Sequence, residues 1–363
     1  MRGVRPYGDS NPMSQRVLLT GNAGYLGTSL VTLLRERGHV VQGIDAYLFR
    51  DCALRPFMTV PTLDKDIREI EREDVEGFDA VIHLAGLSND PMGSLNPEVT
   101  YEINYEATVR LAELAKAAGV RRFLYASSCS VYGSAGEGIL TEDSPQNPVT
   151  PYAKSKVLSE EALTQLADET FAPTFLRPAT AYGVSPMIRF DLVLNNLVAW
   201  ACATGKVLLK SDGGSWRPVV HAEDIGRAYV AVLEAPVETV WCRAYNVGRD
   251  DDNFRIRDLA KVIVDGIPGS KLEFAEGAGP DKRSYRVSFE RIHNELPSFQ
   301  PQFTAARGTQ EVLEAISSLG LSTDDFEGAR YNRLDHLKHL MNRGLLDERL
   351  RRTWPSGQER RSA

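Results

Sequence analysis

The chain has 363 residues, of which 42% are hydrophobic and 25% charged, ordinary values for a globular protein with a substantial core. Its formal net charge of -7 argues against sequence-independent binding to nucleic acid, although a local basic pocket for phosphate stays possible. No apolar run approaches the roughly 18 residues that a membrane-spanning helix needs, so no membrane partner is predicted.

The amino terminus and the cysteines favour a cytoplasmic protein. Residues 1–14 contain Arg, Gly, Pro, Asp and Asn but no apolar segment, so we expect a disordered tail there rather than a signal peptide. The four cysteines are scattered and lack paired metal-ligand spacing, which predicts reduced thiols and no metal site.

The first predicted strand, Arg16–Thr20, leads directly into a glycine-rich turn. Its residues are Gly21-Asn22-Ala23-Gly24-Tyr25-Leu26-Gly27. A helical pattern follows and ends near Gly38, and the order strand, glycine turn, helix is typical of dinucleotide binding. The glycines allow a tight turn and close backbone approach to a pyrophosphate, and the helix N-terminus offers N–H groups and a positive dipole end.

The second predicted strand, Val40–Ile44, ends in Asp45. An acid at this place, roughly 20 residues past the glycines, accepts hydrogen bonds from the adenosine ribose and repels a 2′-phosphate. Asp45 therefore favours NAD over NADP. An ordinary strand-ending aspartate is the alternative.

Strands and helices continue to alternate along the chain. Further strands are predicted at Phe57–Val60, Ala80–Leu84, Arg121–Ala126 and Thr174–Arg177, and long helices at Glu98–Gly119 and Tyr152–Ala167. Such alternation predicts an α/β protein with a doubly wound parallel sheet of the Rossmann kind, whose ligands lie beyond the carboxyl ends of the strands.

By that rule, four stretches at strand ends face one crevice. They are the glycine turn, Asp45, Ala85-Gly86 and Ser127-Ser128. His83, in the strand before Ala85, is expected to be a packed strand residue rather than a base, and His221 is expected to be structural.

The pattern becomes less regular after residue 185. Helices are predicted at Asp191–Thr204, His221–Leu233, Arg255–Asp265 and Tyr331–Met341, and a turn at Asp212–Pro218. We expect a dinucleotide-binding domain of residues 15–185, with 219–248 returning to it, and a smaller substrate-binding α/β region of residues 186–218 and 249–350. Residues 351–363 are basic and polar, which predicts a solvated tail.

Tyr152 and Lys156 stand four residues apart on a predicted helix and therefore point the same way. A free phenol has a pKa of about 10, too high for a base at neutral pH. A fixed cation nearby favours the phenolate and lowers that pKa, which suits proton transfer. The alternative is an aromatic side chain beside a solvated lysine.

Together these motifs resemble the extended short-chain dehydrogenase/reductase family, specifically its nucleotide-sugar epimerases and dehydratases. The resemblance runs from about Gln15 to about Gly248. It rests on Thr20-Gly-x-x-Gly-x-x-Gly27, on Ser127-Ser128 followed by Val131-Tyr132-Gly133, and on Tyr152-x-x-x-Lys156.

The resemblance implies roles for individual residues. Ser128 is the catalytic hydroxyl, Tyr152 the acid–base tyrosine, and Lys156 its partner on the nicotinamide ribose. The implied NAD-binding residues are Gly21, Asn22, Ala23, Gly24, Tyr25, Leu26, Gly27, Asp45, Asp66, Ile67, Leu84, Ala85, Gly86, Asn104, Tyr152 and Lys156. The residues implied to bind a nucleotide-diphosphate sugar are Ser128, Ser130, Thr180, Asn196, Arg217 and Arg283.

Relatives commonly form homodimers by packing the two long helices against a partner's pair, so a homodimer is expected. The candidate contact residues are Leu111, Leu114, Leu158 and Leu163.

Two departures from the family pattern narrow the chemistry. Dehydratases and sugar-acid decarboxylases carry carboxylates one or two residues after the catalytic hydroxyl, where this chain has Cys129 and Ser130. Removing a C5 proton and expelling a hydroxyl needs such groups. The resemblance therefore implies NAD-dependent epimerisation of a nucleotide sugar through a transient 4-keto intermediate, with Cys129 in the core or pocket wall.

Two other functions stay open. One is an NAD-dependent nucleotide-4-ketosugar reductase or dehydrogenase, which uses the same three catalytic residues with net redox change. The other is a non-catalytic dinucleotide-binding sensor. In addition, Thr180 stands where many relatives carry an asparagine that contacts substrate, so the sugar is not specified.

Overall fold

The structure is a computed structural model that describes residues 14–279, 281 and 283–353, without the side chains of residues 135–137. Of the predicted amino-terminal tail, only Ser14 belongs to the described residues. Residues 354–363 of the predicted carboxyl-terminal tail lie outside them.

Fourteen strands occur in this part of the chain. They are β1 (Arg16–Thr20), β2 (Val40–Asp45), β3 (Thr62–Asp64), β4 (Ala80–His83), β5 (Arg122–Ala126), β6 (Ser134–Leu140), β7 (Ala172–Pro178), β8 (Thr180–Tyr182), β9 (Lys206–Ser211), β10 (Trp216–His221), β11 (Ala244–Val247), β12 (Asn253–Arg255), β13 (Lys271–Gly279) and β14 (Ser284–Val287). Seven strands form one sheet in the order β11-β7-β5-β4-β1-β2-β3, and all its neighbours are parallel. The predicted doubly wound α/β fold is confirmed.

The described residues also form thirteen α-helices. They are α1 (Tyr25–Glu36), α2 (Asp90–Gly93), α3 (Pro97–Tyr101), α4 (Ala107–Ala117), α5 (Pro151–Leu166), α6 (Val193–Thr204), α7 (Ala222–Glu234), α8 (Val237–Val240), α9 (Ile256–Gly266), α10 (Glu290–Glu295), α11 (Ala305–Ser317), α12 (Thr323–Phe326) and α13 (Arg333–Asn342). A π-helical turn at Glu102–Glu106 joins α3 to α4, so the predicted helix Glu98–Gly119 is interrupted by a π-bulge.

Alternate residues of β1 belong to two separate cores. Val17 and Leu19 pack in the core that contains residues of α1 and α7, whereas Leu18 packs in the core that contains residues of α4 and α5. Successive strand residues point to opposite faces of a sheet. The helices therefore cover both faces, which explains why the strands of this parallel sheet are apolar nearly throughout.

A third core lies in the later part of the chain. It includes side chains of α6, α9 and α11 together with Val207 and Leu209 of β9. The remaining strands form three small sheets, β12-β10-β8, β13-β9 and β14-β6. The chain then returns to the large sheet, because Leu337, Leu340 and Leu346 pack in the core of Leu18.

Two predicted elements near strands were wrong. Phe57–Val60 is irregular, and the strand that pairs with β2 is Thr62–Asp64 instead. Met58 is 48% exposed, so its apolar character marked no buried strand. The predicted turn over Asp212–Pro218 is also too long, since β10 begins at Trp216. Proline fits there because Pro218 lies where β10 changes its pairing from β12 to β8.

Three further expectations concern the carboxyl-terminal tail, the dimer contacts and a membrane span. Arg352 is not solvated as predicted, because its guanidinium is paired with Asp64 and largely buried. Leu111 and Leu163 are fully buried in the core, so they cannot contact a partner subunit, whereas Leu158 is 36% exposed. The homodimer itself stays a prediction. No helix among the described residues is long and apolar enough to span a membrane.

Candidate active site

The strand ends and the later region enclose a cavity of about 780 Å³. Gly21, Asp45, Ala85, Ser128 and Tyr152 all line it, as the parallel sheet predicts. Predicted cofactor residues and predicted substrate residues line this one cavity. All six predicted substrate-binding residues line the same cavity.

The glycine turn leaves no room for side chains. A Cβ on Gly27 would come within 2.1 Å of the Gly21 carbonyl oxygen, and a Cβ on Gly21 within 2.8 Å of the Ala85 backbone nitrogen. Gly21 has φ +73, a left-handed conformation that glycine adopts without strain. The first turn of α1 contains no acidic residue, so its N-terminus is suited to an anion. These features fit the pyrophosphate of a dinucleotide.

Asp45 is held at the end of β2 by two backbone N–H groups. Ala23 donates to Oδ2 at 3.0 Å and Tyr47 donates to Oδ1 at 2.7 Å. Burial raises the pKa of Asp45, while the N–H groups of Tyr47 and Ala23 act in the opposite direction. The carboxylate is therefore fixed in place at the cavity wall, where a ribose could donate to it.

Most of the predicted NAD-binding residues line the cavity, but three do not. The lining residues are Gly21, Gly24, Tyr25, Leu26, Gly27, Asp45, Asp66, Ile67, Leu84, Ala85, Gly86, Tyr152 and Lys156. Asn22 bonds Thr62 at 3.0 Å and Ala23 bonds Asp45, so both lie behind the lining. Asn104 holds the Leu87 backbone through bonds of 2.8 and 3.0 Å and acts as a brace for that loop.

The three predicted catalytic residues come from two neighbouring elements. Ser128 follows β5, and Tyr152 and Lys156 lie on the first turns of α5. This helix begins at Pro151 because the Thr150 hydroxyl accepts the Ala153 N–H and proline needs no partner at the first position. All three side chains line the cavity.

The pKa of Tyr152 is raised and not lowered as expected. Burial raises the pKa of Tyr152 to about 12, and an interaction with the Ser128 side chain lowers it only in part. Burial lowers the pKa of Lys156 to about 7, while Glu160 acts in the opposite direction. Lys156 donates to the Ala126 carbonyl at 2.6 Å and lies 5.7 Å from the centre of the Tyr152 ring. Burial therefore favours the neutral phenol of Tyr152, the form that can donate a proton.

Cys129 belongs to the core and not to the cavity wall. Its Sγ lies 3.0 Å from the Arg177 carbonyl oxygen, and burial raises the pKa of its thiol. Ser130 instead lines the cavity, and its buried Oγ has no hydrogen-bond partner among the described residues. That unpaired hydroxyl is suited to bond a polar ligand.

The predicted phosphate arginines share one acidic partner. Arg217 and Arg283 each donate to Asp281 Oδ2 at 2.9 Å. Arg283 also donates to Asp90 Oδ2 at 2.5 Å. One carboxylate oxygen thus sits between two guanidinium groups, the arrangement that a phosphate oxygen would adopt.

Thr180 and Asn196 also line the cavity, on β8 and α6. The Asn196 amide donates to the Phe190 carbonyl at 2.9 Å and to Glu327 at 3.1 Å, which fixes its orientation. His83 is structural as expected, because it bonds Thr20 and Thr108 and burial lowers its pKa to about 3.

Several polar residues that line the cavity were not predicted from the sequence. Asp90 accepts from the Thr150 hydroxyl at 2.6 Å, and Arg189 is paired with Asp191 through bonds of 2.9 and 2.7 Å. Asp90 does have a local signal, because Asn89-Asp90-Pro91 is a helix-start pattern in the loop that follows β4 and Ala85-Gly86. Arg189 and Asp191 carry no comparable local signal.

Comparison with known proteins adds independent evidence. A sequence model of the NAD dependent epimerase/dehydratase family matches residues 17–248. Human UDP-glucose 4-epimerase is 30% identical over 339 residues, which cover 84% of this chain and 96% of the human protein. UDP-glucose 4-epimerase from Mycolicibacterium smegmatis is 28% identical over 312 residues, covering 82% and 97%.

A solved structure has a similar fold and was determined with ligands. It is that of MoeE5 in complex with UDP-glucose and NAD, which has a TM-score of 0.69 and 27% identity and covers 84% of this chain and 99% of the other. The likeness therefore extends beyond the length of chain that the family model matches.

Proposed function

Because this chain belongs to the NAD-dependent epimerase/dehydratase family, we propose that it is an NAD-dependent 4-epimerase of a uridine-diphosphate sugar. The reaction would pass through a transient 4-keto sugar and return the cofactor to its starting state. Human UDP-glucose 4-epimerase and MoeE5 with bound UDP-glucose support this substrate class.

The observation that carries the proposal is the set of groups around Tyr152. Ser128, Tyr152 and Lys156 share the cavity with the glycine turn, whereas Cys129 faces the core. Dehydration of the sugar would need a free carboxylate and a further acid. Among the described residues, the acids lining the substrate end are Asp90, Asp191 and Asp281. None of the three stands one or two residues after Ser128, where this chain has Cys129 and Ser130 instead.

The side chains of the site can perform the proton steps. NAD, when bound, supplies a hydride acceptor that also returns the hydride. Tyr152 exchanges a proton with the sugar's 4-hydroxyl, and Ser128 hydrogen-bonds the reacting oxygen. Burial disfavours the phenolate that takes this proton, and Lys156, 5.7 Å from the tyrosine ring centre, would oppose that effect when it is protonated.

Substrate binding would use the two arginines that now hold Asp281. A diphosphate carries more negative charge than one carboxylate and can bond both guanidinium groups at once. The substrate would therefore displace Asp281 from Arg217 and Arg283. Ser130, whose hydroxyl has no partner among the described residues, is placed to bond a sugar hydroxyl.

The proposal is tested by incubating purified protein with a panel of UDP-sugars, with and without added NAD. We expect one 4-epimer pair to interconvert until it reaches equilibrium, with no lasting change in NADH absorbance. Stoichiometric consumption of NADH with a 4-keto sugar, and no epimer from any 4-hydroxy sugar, would assign the reductase function instead.

A further inference from the structure

Leu350, near the end of the described residues, lines the cavity. Leu350 is only 2% exposed although charged residues surround it in sequence, and it lines the cavity together with Asp45, Asp66 and Ile67. Its φ of +55 lies in the left-handed region. That conformation costs a non-glycine residue about 1–2 kcal/mol and persists only where surrounding contacts impose it.

Those contacts come from Arg68, which a predicted cofactor residue, Asp66, holds in place. Arg68 donates to the carbonyl oxygens of Arg349 at 2.8 Å and Leu350 at 3.4 Å. Asp66 in turn holds Arg68 through bonds of 2.6 to 3.2 Å. The acid that the family resemblance assigns to NAD thus also fixes the backbone at Leu350, through one buried arginine.

The other side of Leu350 is anchored to the sheet. Arg352 pairs with Asp64 at the end of β3, and both side chains are mostly buried. Asp347 closes the loop by accepting the N–H groups of Arg349 at 2.9 Å and Arg351 at 2.7 Å. The bonds of Arg68 with Arg349 and of Arg352 with Asp64 join positions more than 280 apart in the sequence. The loop is therefore attached to residues near Asp66 and β3 and not to its own neighbours alone.

Helix α13 contacts a second segment that lines the cavity with Asp45. His336 bonds the Leu48 carbonyl oxygen at 3.1 Å, and its ring lies 5.6 Å from that of Phe49. Arg333 lies over the Phe49 ring at 5.0 Å. Leu48 and Phe49 line the cavity three and four residues after Asp45. Residues 333–353 therefore contact two lining segments of the cavity, Leu48-Phe49 and the loop that contains Asp66.

We propose that residues 345–353 form a clasp over the adenosine half of the NAD site, with Leu350 as the side chain that covers the adenosine. The clasp slows the release of NAD and makes it a resident cofactor. This inference rests on the proposed function, for which slow release is suitable because an epimerase regenerates its cofactor in each cycle. A reductase must exchange its cofactor at every turnover.

The test compares Leu350→Gly with the unaltered full-length protein. Glycine adopts the left-handed backbone of this position without strain, so the variant removes the covering side chain and keeps the loop. Cys242→Gly is the matched control, because Cys242 has φ 53 and does not line the cavity. The measurements are the NAD content after purification and the rate of NAD release into excess unlabelled NAD.

We expect Leu350→Gly to release NAD roughly tenfold faster or more, since the buried apolar contact with the nucleotide is lost. Cys242→Gly should release it at the unaltered rate. If Leu350→Gly is unfolded by circular dichroism, Arg352→Gln replaces it, because loss of the Asp64 pair should loosen the same loop.

Two outcomes would overturn the inference in different ways. Equal release rates from all three proteins would remove the clasp and leave the proposed function intact. Failure of the unaltered protein to bind NAD at all would remove both the clasp and the proposed function.

Discussion

Replacing Lys156 by methionine should stabilise the cofactor-free protein near neutral pH while abolishing turnover. The lysine is buried, and burial lowers its pKa from 10.5 to about 7. Holding the protonated lysine in this buried position therefore lowers the free energy of unfolding. Methionine fills a similar volume without a charge.

The magnitude follows from the two pKa values. One pKa unit corresponds to about 1.4 kcal/mol, so ionisation of this site disfavours folding by ~4 kcal/mol at pH 7. The variant leaves the Ala126 carbonyl without its lysine donor, which costs about 1–3 kcal/mol. The net gain for Lys156→Met at pH 7 should be ~1–3 kcal/mol.

The sign of the pH dependence separates this effect from simple repacking. The folded-state pKa of Lys156 lies below the unfolded-state value, so the unfolded chain binds more protons between about pH 7 and 10.5. The free energy of unfolding of the unaltered protein therefore rises with pH in this window. The advantage of the variant should fall by ~2 kcal/mol between about pH 7 and pH 9.

The assay is urea unfolding of protein freed of cofactor, at several pH values across this range. Lys154→Met is the matched control, because Lys154 lies two residues earlier on the same helix and is exposed. Its stability difference should not change with pH. A pH-independent difference for Lys156→Met would refute the reasoning that the lysine is held at a depressed pKa.

Three further predictions concern the site. Tyr152→Phe should lower turnover roughly 10²- to 10⁴-fold with NAD content unchanged, because only the proton-transfer group is lost; activity above about a tenth of the unaltered level would contradict its role. Asp281→Asn should tighten binding of UDP by about fivefold in calorimetry, since a competing charge leaves Arg217 and Arg283; weaker binding would mean that Asp281 positions the arginines for the ligand. NAD should bind far more tightly than NADP if Asp45 accepts hydrogen bonds from the adenosine ribose, as predicted, because its carboxylate would then repel the 2′-phosphate; similar dissociation constants would argue against that contact.

The parts of the site that the sequence predicted are those with local signals. The glycine turn follows a strand and precedes a helix, and Tyr152 and Lys156 are one helical turn apart, so short-range patterns define both. The order of the strands then brings these motifs to one cavity. The sequence also has no carboxylate one or two residues after Ser128, and this favours epimerisation over dehydration.

The remainder depends on contacts between distant parts of the chain. The charged sequence around Arg352 predicts a solvated side chain. In the structure Arg352 is largely buried, because it is paired with Asp64. This pair fixes the loop in which Leu350 is buried. The Asp281 bridge between Arg217 and Arg283 joins residues 64 apart. The raised pKa of Tyr152 was also unforeseen, because burial outweighs the neighbouring groups that lower it.

The measurement that tests the central claim most directly follows a deuterium label at C4 of UDP-glucose through the reaction. If hydride leaves C4 and returns to the same carbon, the epimeric product should carry the deuterium at C4, in unlabelled water and with unlabelled NAD present. Transfer of the label to free cofactor would contradict the account in favour of net oxidation or reduction. An epimer that retains C4 deuterium but inverts at another carbon would contradict the assignment of Tyr152 to the 4-hydroxyl.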